Sequence, residues 1–177
     1  MIKFGIKYKI RISPLAEEGL DSGIFTINFV NTITGISSNI KDIGFGFSQV
    51  LPIIVQNVAS KEKVLLMEQP ESQIHPAFQA ELGDLFIESA MGKQKNTLII
   101  ETHSEHLLLR IMRRMRETAT GKLKDKSLAL RPDDIMVLYV EQIGSKSIIR
   151  EMPLNDYGDL VKSWPGGFFE EGLREVL

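Results

Sequence analysis

The chain has 177 residues, of which 43% are hydrophobic and 25% charged, so it fits one globular domain and not a disordered or fibrous class. Its 21 basic and 23 acidic side chains give a net charge of -2, so no overall positive field indicates nucleic acid. There is no cysteine, which excludes disulfides and thiolate metal sites. Because no apolar run approaches the roughly 18 to 20 residues of a membrane span, we expect a cytoplasmic protein without a membrane segment.

The N-terminal part predicts antiparallel β-structure. Apolar and polar residues alternate over residues 2–12 and 24–30, which is the period of a half-buried strand. Turn residues separate the two runs, so we expect an antiparallel pair. The polar residues 31–41 predict an irregular segment.

A glycine-containing segment then leads into a predicted helix. Ser48 is a good N-cap and Pro52 fits a first turn, so the helix is expected to begin there and to end near Ser60. Free N–H groups at such a helix start suit an anion such as phosphate. Taken by itself, the segment is explained better by a tight loop in which Gly44 and Gly46 precede a buried helix.

Two strand-loop-helix units follow. The apolar runs at residues 64–67 and 97–100 predict strands buried on both faces of a parallel sheet, and helices are predicted at 76–91 and from Ser104 to about residue 118. Successive units of this kind predict neighbouring parallel strands with right-handed crossovers. The polar side chains after the strands should therefore share one crevice. They are Glu68, Gln69, Glu71, Gln73 and His75 after the first strand, and Glu101, Thr102, His103 and Ser104 after the second.

The C-terminal third predicts a basic, flexible connection at residues 121–131 and a hairpin formed by 134–141 and 146–152 around Gly144-Ser145. The third predicted helix, from Ser104 to about residue 118, also carries a cluster of arginines. We interpret this cluster as an exposed, solvated helix face and not as a DNA-binding surface, because no recognition motif accompanies it. Its members are Arg110, Arg113, Arg114 and Arg116.

Three segments together resemble motifs of ATP-binding-cassette ATPases in order and spacing. They are Gly44 to Gln49, Glu68-Gln69-Pro70-Glu71 with His75-Pro76, and Thr102-His103-Ser104, similar to the signature loop, the Walker B strand with its D-loop, and the switch histidine. More narrowly, the chain from about Ile40 resembles the C-terminal half of predicted AAA/ABC-type ATPases related to OLD-family and SMC-like proteins. Their C-terminal extension closes with a Trp-Pro-x-Gly-Phe-Phe-type run like Trp164 to Phe169.

The resemblance implies a partial P-loop NTPase fold of the α/β class, with parallel core strands, helices and flanking antiparallel β-structure. Residues 1–153 would be the C-terminal portion of the ATPase domain, and 154–177 an extension packed on it. Glu68 would hold Mg²⁺. Gln69 stands where the family has its catalytic glutamate, and an amide can orient water but cannot accept its proton. In an extended loop Glu71 would point the same way as Gln69 and supply the missing carboxylate.

The resemblance also implies how ATP is bound. His103 would contact the terminal phosphate, whereas Gly46, Ser48 and Gln49 would bind the nucleotide held by a second head. No Gly-x-x-x-x-Gly-Lys-Ser/Thr run occurs in the sequence, so the Walker A cradle is expected from a missing segment or a partner chain. The chain alone should bind ATP poorly. The expected assembly is a head-to-tail dimer or a complex with that partner, and nucleic acid remains a possible partner.

Three alternatives stay open. The chain can be a degenerate, non-catalytic module that binds a partner protein or nucleic acid, which Gln69 and the absent Walker A run favour. A nuclease would use Glu68, Glu71 and Glu101 for metal, and a zinc site would use the three histidines, His75, His103 and His106, although their spacing lacks a ligand pattern. Whether the protein is an enzyme is therefore undecided by sequence.

Overall fold

The computed structural model describes residues 8–15, 23–39, 42 and 45–165. Gly44 of the predicted signature loop and the part of the predicted C-terminal run after Pro165 lie outside these residues. The strands are β1 (Tyr8–Pro14), β2 (Phe25–Asn31), β3 (Ser37–Asn39), β4 (Val64–Glu68), β5 (Thr97–Glu101), β6 (Leu138–Ile143) and β7 (Lys146–Glu151). The α-helices are α1 (Phe45–Ala59), α2 (Pro76–Met91) and α3 (Glu105–Ala119), and 3₁₀ turns occur at Lys126–Leu128 and Pro132–Asp134. None of the described helices is long and apolar enough to cross a membrane.

The N-terminal sheet is antiparallel, as predicted, with strand order β1-β2-β3. The prediction of an irregular segment after Asn31 was wrong, because β3 returns to pair with β2. Asn31 stabilises the turn between β2 and β3, because its side-chain oxygen accepts the N–H groups of Ile33 at 2.9 Å and Thr34 at 3.1 Å. An asparagine that caps its own turn in this way lets a short polar segment re-enter a sheet.

Strands β4 and β5 pair in parallel, with Leu66 opposite Ile99 and Glu68 opposite Glu101, as predicted. One face of the pair packs on the core, where Leu82, Leu85, Leu107, Ile111 and Met115 of helices α2 and α3 are buried. The fold therefore belongs to the α/β class, with antiparallel β-structure on either side of the parallel pair in the sequence.

Burial of this pair on both faces was a wrong prediction. Leu65 is only 5% exposed, but Val64, Leu66 and Ile99 are 64%, 74% and 58% exposed. These three side chains share the face opposite the core, since alternate residues of a strand point to opposite sides. We call Val64, Leu66 and Ile99 the bare face. Its apolar composition is that of a buried surface, although the described residues leave it uncovered.

Helix α1 begins at Phe45, three residues before the predicted N-cap Ser48, and Pro52 lies in its interior. Proline there cannot donate the usual hydrogen bond and ordinarily breaks a helix. The helix nevertheless continues because Val50 and Leu51, only 6% and 8% exposed, anchor its apolar side on the rest of the protein.

Two of the four arginines on α3 are not solvated. Arg110 and Arg114 are 20% and 17% exposed, and both bind Asp84 of α2, at 2.6 Å and 2.7 Å. Arg114 and Arg113 also bind Glu117. Hydrogen bonding to Asp84 outweighs burial and raises the pKa of Arg114. Burial alone would raise the pKa of Glu117, but its two arginine partners lower it overall. The exposed-face interpretation was therefore wrong for Arg110 and Arg114.

The connection after α3 is also more ordered than predicted. Leu128 and Leu130 are 9% and 5% exposed and join the core, so residues 121–131 are not a flexible link. The hairpin of β6 and β7 is as predicted. Beyond it, Asp159 accepts a hydrogen bond from Arg116 at 2.6 Å, which ties residues after 153 to α3. The division of the chain at residue 153 remains a prediction.

Candidate functional site

The predicted polar clusters meet where β4 and β5 end. Their parallel register places Glu68 beside Glu101, and the N–H of Gln69 donates to the carbonyl oxygen of Glu101 at 2.8 Å. Glu68 and Gln69 are exposed. The two loops that follow the strands therefore leave the same edge of the sheet, which is where open α/β sheets bind ligands.

The loop after β4 is a compact turn and not the extended segment that the sequence suggested. Gln69 and Gln73 have positive φ angles of 44° and 64°, and the N–H of Ser72 donates to Gln69 O at 3.0 Å. Glutamine is uncommon in the left-handed region of backbone conformation, which is strained for it. Such strained residues occur most often in functional loops. As a result, Gln69 faces solvent whereas Glu71 is only 7% exposed. The expectation that the two side chains point the same way was wrong.

Glu71 joins this loop to the loop after β5. Its Oε1 accepts the backbone N–H of His103 at 2.7 Å, next to Ser104, the N-cap of α3. A carboxylate is favoured there because the dipole of a helix is positive at its N-terminus. Its Oε2 is buried and has no hydrogen-bond partner within the described residues. The imidazole Nε2 of His103 lies 3.5 Å from Oε1 of Glu101.

Gln79 makes a second connection between the two loops, which sequence reasoning missed. Its amide nitrogen donates to Ile74 O at 2.9 Å, and its oxygen accepts the hydroxyl of Ser104 at 2.7 Å. The same hydroxyl accepts the N–H of Leu107 at 3.1 Å and so caps α3, as predicted. Helical periodicity assigns Gln79 to the outer side of α2. Its role becomes visible only when the two loops are seen together.

The start of α1 also contacts the loop after β4. A Cβ atom on Gly46 would lie 2.7 Å from the carbonyl oxygen of Gln73, so glycine is required for this close approach. Ser48 lies in the same first turn of α1, and Gln49 follows directly after it. Gln73 therefore places the loop after β4 against the first turn of α1. Glu71 joins the same loop to the loop after β5, which contains His103.

The remaining histidine and carboxylate predictions have simpler structural explanations. Nδ1 of His75 accepts the N–H of Ala77 at 3.2 Å and caps α2, so His75 shapes the start of this helix. Among the described residues no group of three histidine, aspartate or glutamate side chains could hold a metal ion. Neither the zinc site nor the three-carboxylate nuclease site is therefore supported by the described part of the chain.

A parallel strand pair with helices on one face, whose carboxyl edge carries an exposed acid, a glutamine and a histidine, has the architecture of an ATPase-type nucleotide-binding module. A solved SMC ATPase, studied for ATP-driven dimerization and DNA-stimulated activation, matches with a TM-score of 0.55 and 12% identity. The match covers 96% of this chain and 81% of that chain. The described part of the chain accordingly has a partial P-loop NTPase fold of the α/β class.

Family models extend this result. The model described as "AAA ATPase domain" matches residues 5–108, and the chain belongs to this family. A second model, described as "Protein of unknown function (DUF3696)", matches residues 130–177. No curated protein sequence matches the chain.

Proposed function

We propose that this chain is the signature and Walker B half of an ABC-type ATP-binding head. It hydrolyses ATP only when a further segment or a partner chain supplies the Walker A half. The observation that carries the proposal is the meeting of two loops at one sheet edge, where Glu71 of the first loop binds the backbone of His103 in the second at 2.7 Å. An acid at the end of one strand and a histidine after the next are thereby held on one side of the module.

The exposed groups at this edge take separate roles in the proposal. Glu68 holds a hydrated Mg²⁺ on the phosphates, for which carboxylate oxygen is a suitable ligand. Gln69 orients the attacking water, and His103 contacts the terminal phosphate. The exposure of Glu68, Gln69 and the His103 imidazole supports these roles, since a ligand must reach all three.

The proton of the attacking water needs an acceptor that Gln69 cannot provide. We assign this role to Oε2 of Glu71, because that oxygen has no partner among the described residues; since it is buried in the chain alone, the two loops must open together in the assembled head before water reaches it. Gly46, Ser48 and Gln49, within the first five residues of α1, bind the nucleotide of a second head in a head-to-tail dimer. The positive end of the helix dipole suits that contact with phosphate.

The bare face supports dependence on a Walker A half. Strands of parallel sheets are covered on both faces, and a two-stranded sheet is marginal without further strands or cover. Val64, Leu66 and Ile99 are apolar yet 64%, 74% and 58% exposed. We propose that the Walker A half covers this face. Glu68 lies on the same face, two residues beyond Leu66, so ATP and Mg²⁺ would sit at the boundary between the halves.

Nucleotide binding tests the proposal directly. Fluorescent ATP with Mg²⁺ is titrated into the purified chain, alone and with a neighbouring-gene polypeptide that carries a Walker A sequence. We expect no saturation up to about 1 mM for the chain alone and saturation in the upper micromolar range or below for the pair. Leu66→Lys should abolish the gain by disrupting the covered face, whereas Lys61→Ala, on the exposed surface before β4, should not. Micromolar ATP binding by the chain alone would refute the proposal.

The second candidate function is a non-catalytic module, which Gln69 at the catalytic glutamate position favours. Substitution Gln69→Glu separates the two in the assembled pair. If the pair is an ATPase that lacks only a general base, Gln69→Glu should raise the rate of ATP hydrolysis by up to about 10² to 10⁴. If neither the wild type nor Gln69→Glu hydrolyses bound ATP, the chain acts as a binding module and the catalytic part of the proposal fails.

A further inference from the structure

The carboxylate of Glu71 is unusually placed for a surface loop. Its side chain is only 7% exposed, and burying a carboxylate is unfavourable unless hydrogen bonds replace its water. Its Oε1 receives one such bond, from the N–H of His103 at 2.7 Å. That distance is typical of a charge-assisted bond to a carboxylate, which is about twice as strong as a neutral one.

The backbone that carries Glu71 is itself fixed on both sides. On one side, the N–H of Ser72 donates to Gln69 O at 3.0 Å; on the other, the N–H of Ile74 donates to Glu71 O at 3.1 Å. The close approach of Gly46 to Gln73 leaves the loop no room to move toward α1. The Glu71 carboxylate therefore projects from a fixed loop and can fix what it binds.

His103 needs such support, because its own side chain is not packed. The imidazole is 71% exposed and lies 3.5 Å from Glu101, which is too long for a well-formed hydrogen bond. The backbone on its C-terminal side is tied through Ser104 to Gln79. The peptide groups on either side of the His103 Cα atom thus set the position from which the imidazole extends.

From this geometry we propose that Glu71 is a positioning residue: its Oε1 fixes the backbone of His103 and makes the loops after β4 and β5 move as one unit. The functional meaning of this link rests on the proposed contact of His103 with the terminal phosphate. The two oxygens of Glu71 differ in their contacts, since Oε1 holds His103 whereas Oε2 is buried without a partner among the described residues. Loss of the link would leave His103 present but misdirected.

Amide exchange in the ¹⁵N-labelled full chain, without nucleotide, tests the link. Glu71→Ala removes the acceptor, so the His103 amide should exchange about 10 to 100 times faster. Glu71→Gln keeps an oxygen acceptor of the same length, and we expect it to restore most of the protection. Glu68→Gln is the matched control, because Glu68 is exposed and should leave His103 unchanged. The amides of Gln69 and Leu107, bonded within the same edge, report whether the fold is intact.

A measurement on the wild type covers the case in which Glu71→Ala fails to fold. A scalar coupling across the hydrogen bond, between the His103 nitrogen and the Glu71 carboxyl carbon, is expected. Its absence would overturn the proposal, as would unchanged His103 exchange in Glu71→Ala or exchange in Glu71→Gln as fast as in Glu71→Ala. Because no nucleotide is used, failure here concerns Glu71 alone, whereas failure of the ATP titration would leave the link intact.

Discussion

Replacing Asp84 by alanine should strongly destabilise the protein, because Asp84 holds α2 and α3 together. Its two oxygens accept three hydrogen bonds, from Arg110 at 2.6 Å and from two nitrogens of Arg114 at 2.7 Å each. Breaking a fully buried ion pair costs about 3 to 5 kcal/mol. The three side chains keep about one-fifth of their exposure, and Arg114 retains Glu117, so we reduce this to about 2 to 3 kcal/mol.

Urea unfolding measures the effect as a lower midpoint with an unchanged slope, and the melting temperature should fall by about 4 to 12 °C for a chain of this size. Glu141→Ala is the control, since it breaks the more exposed pair with Arg150 and should cost about 0.5 kcal/mol or less. If Asp84→Ala costs no more than Glu141→Ala, the network behaves as a solvated surface cluster and the reasoning is wrong.

Three further substitutions test the surroundings of the site. Gly46→Ala gains up to about 1 kcal/mol of helix propensity but places Cβ 2.7 Å from Gln73 O, so we expect a net loss of about 1 to 2 kcal/mol in urea unfolding; a more stable variant would contradict the close approach. Ser104→Ala removes the cap on the Leu107 N–H and should cost about 1 kcal/mol, with faster amide exchange in the first turn of α3; unchanged exchange there would contradict it. Arginine hydrogen bonds, opposed by burial, lower the pKa of Glu117 from 4.5, so its stabilisation is present above that pH and is lost as pH falls through the lowered value. The stability gap between wild type and Glu117→Gln should therefore narrow on acidification below pH 4.5, and a constant gap would refute the assignment.

Elements with local signals were predictable from sequence. Helix α2 has the predicted bounds, because Pro76 suits a first helical position and His75 caps it. The hairpin of β6 and β7 turns at Gly144, whose φ of 61° favours glycine. The parallel pairing of β4 and β5 followed from two successive strand-loop-helix units. In each case the deciding residues lie within the element or directly beside it.

Several of the wrong predictions depend on residues far away in the chain. Asp84 precedes its arginine partners by 26 and 30 residues, so the periodicity of α3 could not reveal them. Packing of α1 overrides the local preference of Pro52 for a first turn. Within the site, the inward position of Glu71 is set by a turn and by the loop after β5, and neither can be read from the local sequence.

The bare face also sets a condition on how this protein is produced. If, as proposed, the Walker A half is a separate chain, newly made molecules would present Val64, Leu66 and Ile99 to one another, and uncovered aliphatic strands of this kind tend to self-associate. The two halves would then have to be synthesised at matched times and in matched amounts. A surplus molecule would be recognised by chaperones and proteases through the very surface that assembly conceals.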